Sequence, residues 1–194
     1  VPEGQLFDLP FLFRDDEHAY KVLAGAIGKQ LAAKYDSHGF KVVGFLVNGT
    51  RHPMGKFPIL TPDDIKGKKI RVQGTSQADL VTAFGATGVT IAFAEVVPAL
   101  EKGVVDCGIT GTMPAYKAKW PEVTKSLFRL PVGFTAGMLV ANLNMWNKLS
   151  PDTQALIQKA AKELEDRSWK STQLETEDGV LCTTGTGTCP EGTP

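Results

Sequence analysis

Two arginines carry most of the chemistry this sequence offers. Arg51 follows Asn48-Gly49-Thr50 just past an apolar run, and Arg71 sits inside Ile70-Arg71-Val72. A guanidinium is planar, stays charged at physiological pH and grips a carboxylate through two parallel hydrogen bonds. Strand alternation points Arg71 away from its apolar neighbours, and ligands of parallel α/β sheets collect at strand ends. Each arginine also has a plainer reading, as a solvated residue or half of a structural salt bridge. Of the two, Arg71 is the stronger ligand candidate. A third feature is Gly108-Ile109-Thr110-Gly111-Thr112-Met113, small, polar and glycine-rich after a short strand. It can offer backbone and hydroxyl groups to a ligand, or serve as an ordinary tight connection.

Other chemistry lacks its usual patterns. His18, His38 and His52 stand far apart, with no His-x-x-x-His or Cys-x-x-Cys spacing for a metal. There is no nucleophile elbow, phosphate loop or dinucleotide fingerprint, which lowers the expectation of an enzyme but leaves a site assembled from distant residues open. Cys107, between Asp106 and Gly108, reads as a small buried residue. Cys182 and Cys189 bracket a Gly/Thr segment that either a disulfide closes or a frayed tail leaves open. Trp120, Trp146 and Trp169 read as core residues.

The 194 residues are 42% hydrophobic and 22% charged, as in an ordinary globular protein. Lys plus Arg equals Asp plus Glu at 21 each, so no net charge draws the chain to nucleic acid or an anionic membrane. No apolar run approaches the roughly 18 residues of a membrane span. Val1 to Pro10 reads as the middle of something, so an incomplete chain is expected.

The elements that must position these residues follow a strand–helix–strand grammar. A helix is expected over Asp15–Tyr35, with Ala19, Val22, Leu23, Ala26, Ile27 and Leu31 on one stripe. A buried strand over Lys41–Val47 should end at Asn48-Gly49, as a turn or crossing point. Thr61-Pro62-Asp63-Asp64 reads as a capped helix start. Strands at Lys69–Val72, Val89–Ile91, Gly103–Asp106, Ser126–Leu130 and Thr135–Ala141 alternate with helices over Gln77–Phe84 and Ala94–Glu101, which argues for a parallel α/β sheet. A last helix from Pro151 to about Glu175 would span roughly 35 Å at 1.5 Å per residue.

Several segments, in order, resemble the dicarboxylate-binding branch of the periplasmic solute-binding proteins of tripartite ATP-independent periplasmic (TRAP) transporters. They are FDLPFLF at 7–13, NGTRHP at 48–53, LTPDDIKGKKIRV at 60–72, AEVVPALEKGVVD at 94–106, KWPEVTKSL at 119–127 and NLNMWNKLSPDTQALI at 142–157. The resemblance implies an α/β, periplasmic binding protein-like fold of two lobes with crossing strands and a long bridging helix. Residues 1–47 and 129–149 would form lobe I, 48–128 lobe II, 150–178 the bridging helix and 179–194 a Gly/Thr/Cys-rich loop. It implies capture of a small organic carboxylate in the periplasm, without cofactor or catalysis, for a transporter's membrane subunits. Arg71 would anchor the acid and Arg51 would add charge or close the lid, with Thr110 and Gly111 completing the fit. Glu95 would orient an arginine or cap its helix. The family often has asparagine where Thr110 stands, and Cys107 and Ile109 also depart from the common form. A periplasmic location favours a Cys182–Cys189 disulfide. Relatives run nearer 300 residues. The rival readings are an α/β enzyme acting on a small acid and a ligand-sensing domain.

Overall fold

A computed structural model describes residues 2–190. A 3-10 turn over Pro2–Asp8 opens the described chain. The single helix expected next is two, α1 (Asp16–Ala24) and α2 (Ala26–Asp36), divided at Gly25, which is extended. The apolar stripe runs through both, but glycine favours the break energetically because a helical interior costs it about 0.5–1 kcal/mol relative to alanine.

Strand β1 (Phe40–Gly55) does not end at Asn48-Gly49 but continues through it for 16 residues in all. Gly49 has φ +82°, in the left-handed region open to glycine, and a Cβ there would lie 3.1 Å from Thr176 Oγ1. Next come β2 (Lys69–Val72), α3 (Thr75–Ala83), β3 (Thr87–Thr90) and α4 (Val96–Glu101). The strand expected at Gly103–Asp106 lies later, as β4 (Cys107–Gly111); Gly103 instead takes a left-handed turn at φ +70°. After α5 (Thr112–Lys117), β5 is only Ser126–Leu127, and β6 covers Gly133–Asn142. Helix α6 (Leu143–Trp146) precedes α7, which runs through Thr184 for 34 residues rather than ending near Glu175. It therefore spans about 50 Å. The first part of the segment expected as loop from 179 is helical.

The sheet is mixed, in the order β3-β2-β4-β1-β5, with β6 also paired to β1. β2 runs parallel to both β3 and β4, as the repeated strand–helix grammar required, while β1 is antiparallel to β4, β5 and β6. Apolar side chains gather in separate clusters. One packs α1, α2 and the first half of β1 with Phe134 and Trp169. The others lie on the two faces of β2 and β4, around Ile70, Val81 and Ile109 and around Met54, Leu100 and Trp120. All three tryptophans are buried, as expected.

β1 slips register against β6 twice, between Val42 and Gly44 and between Val47 and Thr50. Helix α7 satisfies the backbone at both places. The buried Glu165 accepts from the Phe45 amide at 3.0 Å, and the Ser168 and Thr172 hydroxyls donate to Val47 O at 3.1 and 2.8 Å. Cys182 and Cys189 are disulfide-bonded across the helix end, where Gly185 supplies a left-handed cap.

One local conflict sits at the start of α1. Asp15 caps the helix by accepting from the His18 amide at 2.7 Å, but Asp16 has a buried, unpartnered Oδ1. Burial, and then the charge of Asp15, push the Asp16 carboxyl up to about 6. An acid whose folded pKa is raised opposes folding when ionised, so its penalty is present at neutral pH and fades as pH falls through about 6 towards 4. Asp16→Asn should therefore raise the melting temperature at pH 7, and the gain should shrink on acidification. A gain that is absent at pH 7, or constant with pH, would refute this account.

Candidate functional site

β4 is the axis of the site. Gly111 lies opposite Arg51 on β1, and Gly108 lies opposite Arg71 on β2. Alternation along β4 starts the two arginines off opposite faces of the sheet. Arg71 and Thr110 share a face, since Thr110 is two residues beyond Gly108.

Arg71 is 2% exposed. Its Nε donates to Ile91 O at 3.0 Å and its Nη1 to Ile109 O at 3.1 Å, so backbone carbonyls just past β3 and within β4 fix the plane of the fork. The Phe93 ring lies 5.9 Å from its Cζ and stacks on the fully buried Trp120 at 5.8 Å. No carboxylate among the described residues pairs with Arg71. Burial, and then the positive charge of Arg51, lower its pKa to about 10. A buried cation with fixed geometry and no counter-ion is poised for an anion.

Arg51, 3% exposed, is differently placed. Its Nη2 donates to Asp8 Oδ1 at 2.8 Å and its Nε to Thr135 Oγ1 at 2.7 Å. Thr110 and Gly111 are buried at the same end of β4, and Gly111 leads straight into α5. Glu95 corrects the expectation made for it. It is exposed, makes no side-chain cap for α4, and pairs with neither arginine; carbonyls orient Arg71 and Asp8 holds Arg51. Cys107 is fully buried, and burial pushes its thiol up to about 12, which makes it inert as a nucleophile. His52 is buried beside Thr110, and burial lowers its pKa. Among the described residues, no group of three or more His, Cys, Asp or Glu side chains could hold a metal ion.

Asp8, Thr135 and Phe93 escaped the sequence reading. Asp8 offered a faint signal, a lone carboxylate inside the apolar run FDLPFLF, but its arginine partner lies 43 residues away.

The profile of bacterial extracellular solute-binding protein family 7 matches residues 1–181. The chain belongs to that family. The C4-dicarboxylate-binding periplasmic protein DctP of Rhodobacter capsulatus is 30% identical over 189 residues, 97% of this chain and 57% of that protein. The 2,3-diketo-L-gulonate-binding periplasmic protein YiaO of Escherichia coli K12 is 34% identical over 164 residues, 84% of this chain and 50% of that protein. This chain thus spans about half the length of these relatives. The crystal structure of a TRAP periplasmic solute-binding protein from Polaromonas sp. JS666, bound to D-erythronate, superposes with a TM-score of 0.90 at 30% identity. It covers all of this chain, which in turn covers 63% of that protein. A second, from Pseudomonas putida F1 with bound D-glucuronate, gives 0.89 at 26% identity, over 96% of this chain and 62% of that one. The fold is thus that of periplasmic binding proteins, α/β with a mixed sheet.

Proposed function

We propose that this solute-binding protein captures a small organic carboxylate in the periplasm and delivers it to a TRAP-type membrane transporter. The observation that carries the reading is Arg71, buried, oriented by two carbonyls and without a carboxylate partner among the described residues. Arg71 anchors the acid. Phe93 walls one side of it, and Thr110 and Gly111 complete the polar fit near the end of β4. Arg51 stands next to this group, held by Asp8 and Thr135. The relatives bound to D-erythronate and D-glucuronate support an acid of this size.

The two-lobed arrangement belongs to the same proposal. Residues 1–47 and 129–149 supply one lobe, 48–128 the other, and α7 bridges them. It is supported by the clusters, one drawing on residues 7–47 with Phe134 and Trp169, the other two on residues 54–132. The Cys182–Cys189 disulfide accords with an oxidising compartment.

The test is an equilibrium-binding screen of the full chain against small carboxylates and their neutral amides, repeated across pH. Acids should bind and amides should not. Carboxylates ionise near pH 4, and Arg71 loses its proton only as pH rises through about 10. Affinity should be flat between about pH 6 and 8 and fall above about 10. Equal binding of the amides would remove charge pairing from the account.

A further inference from the structure

We propose that Trp120 is a positioning residue, which braces the Arg71 side chain at its foot, over Gly108, and at its head, through Phe93. The bracing belongs to the protein without ligand, and only its consequence for binding rests on the carboxylate reading above. Trp120 opens a 3-10 turn, Trp120–Glu122, that follows α5. Its side chain is fully buried among Met54, Leu100, Val105 and Ala115. Lys119, directly before it, has φ +64°, in the left-handed region that is costly for a residue with a side chain. Such a conformation persists only where the surrounding structure holds it.

Core packing accounts for an apolar ring at this position but not for an indole. Trp120 Nε1 is buried with no hydrogen-bond partner among the described residues, an unfavourable state that phenylalanine would avoid. What the indole adds is reach. Gly108 stands opposite Arg71 in the sheet, and a Cβ there would lie 2.8 Å from both Cζ3 and Cη2 of Trp120 and 3.7 Å from Arg71 Cβ. Glycine therefore lets the far edge of the indole lie beside the foot of Arg71. The Phe93 ring stacks on the indole at 5.8 Å, with 27° between the planes, and its centroid lies 5.9 Å from Arg71 Cζ. Phe93 itself is 37% exposed, so its contact with the buried indole is what steadies it. In the same segment, Ile91 packs on the Trp120 cluster and accepts from Arg71 Nε at 3.0 Å. One buried side chain thus holds the ring and the strand end that together orient the guanidinium. A fork fixed in advance loses less freedom when an anion docks on it, which favours binding.

The experiment follows the Arg71 Nε–H signal by nitrogen-edited NMR of the full chain, assigned by its loss in Arg71→Lys. Wild type, Trp120→Phe and Gly108→Ala are compared, beside thermal melts and calorimetric titration with D-erythronate and D-glucuronate. Trp120→Phe should melt within a few degrees of wild type, because losing the unpaired N–H offsets the lost ring area. Its Arg71 Nε–H should nevertheless exchange at least about tenfold faster, and its affinity for acid should fall about five- to tenfold. A tryptophan that only fills the core would lower the melting temperature and leave the Arg71 signal unchanged. Gly108→Ala keeps the indole but displaces it, and should loosen Arg71 likewise. That effect should shrink in the Trp120→Phe background, where the smaller ring clears position 108. Unchanged exchange in Trp120→Phe overturns the proposal, as does a loosened Arg71 that still binds acid as well as wild type. Should Trp120→Phe fail to fold, Gly108→Ala decides by the same two readouts. If neither acid binds wild type, the carboxylate reading falls, and the exchange rates still settle whether Trp120 braces Arg71.

Discussion

Arg71→Ala should abolish acid binding while leaving the empty protein folded. Removing one partner of a buried, hydrogen-bonded charge pair costs about 2–5 kcal/mol, or roughly 30-fold to several thousand-fold in affinity. Much of that cost is the acid's carboxylate left buried and unpaired. The same residue contributes little to the unliganded fold, because a buried cation without a counter-ion carries a desolvation penalty. That penalty offsets the hydrogen bonds to Ile91 O and Ile109 O. The apo melting temperature of the variant should stay within a few degrees of wild type. Arg71→Lys keeps the charge but not the planar fork, and it should recover only part of the affinity. Calorimetric titration beside thermal melts separates these effects. A variant that binds normally removes Arg71 as anchor, and one that unfolds shows it to be structural.

The second large effect lies far from the arginines. Gly179 falls inside α7, where helix propensity alone predicts that alanine gains about 0.5–1 kcal/mol. The packing predicts the opposite. A Cβ at this position would fall against the Met113 amide nitrogen and Thr112 Oγ1, at the start of α5. One of these is backbone and cannot rotate away, and Thr112 Oγ1 already donates to Thr176 O at 2.8 Å. Overpacking costs typically 1–3 kcal/mol and more where backbone must move, so it outweighs propensity. Gly179→Ala should lower stability by about 1–2 kcal/mol, and Gly179→Val by about 3 kcal/mol or more. Denaturant melts decide it, and a stabilised Gly179→Ala would mean that α7 and α5 do not approach so closely.

Gly179 also explains why the length of α7 was hard to read. Glycine at 179, followed by Thr183-Thr184-Gly185-Thr186-Gly187, has the composition of a loop, yet the helix holds through Thr184. Propensity argued for an end near Glu175, and tertiary contact with α5 overrode it. Strands with apolar alternation and glycine boundaries, such as Lys69–Val72, were legible because the signal is local. The placement of Arg71 away from Ile70 and Val72 was legible for the same reason. The partners of Arg51 were not, since Asp8 and Thr135 lie 43 and 84 residues from it and no spacing rule connects them. The continuation of β1 through Asn48-Gly49 was hidden likewise. Asn-Gly is a strong turn signal, and it is Thr172, 125 residues away, that bonds the backbone beside it.

The way β1 is completed bears on how the chain acquires its structure in time. The buried anchors for its two register slips, Glu165 and Thr172, are met 120 and 125 residues later in sequence. Its long partner β6 begins only at Gly133. Such contacts return free energy only after a large loop has closed, and chains dominated by them fold slowly. A segment emerging from the ribosome at about 5–20 residues per second would carry β1 for some seconds before α7 exists to hold it. Until then neither β6 nor the anchoring side chains of α7 are present, so β1 is among the last elements to be completed.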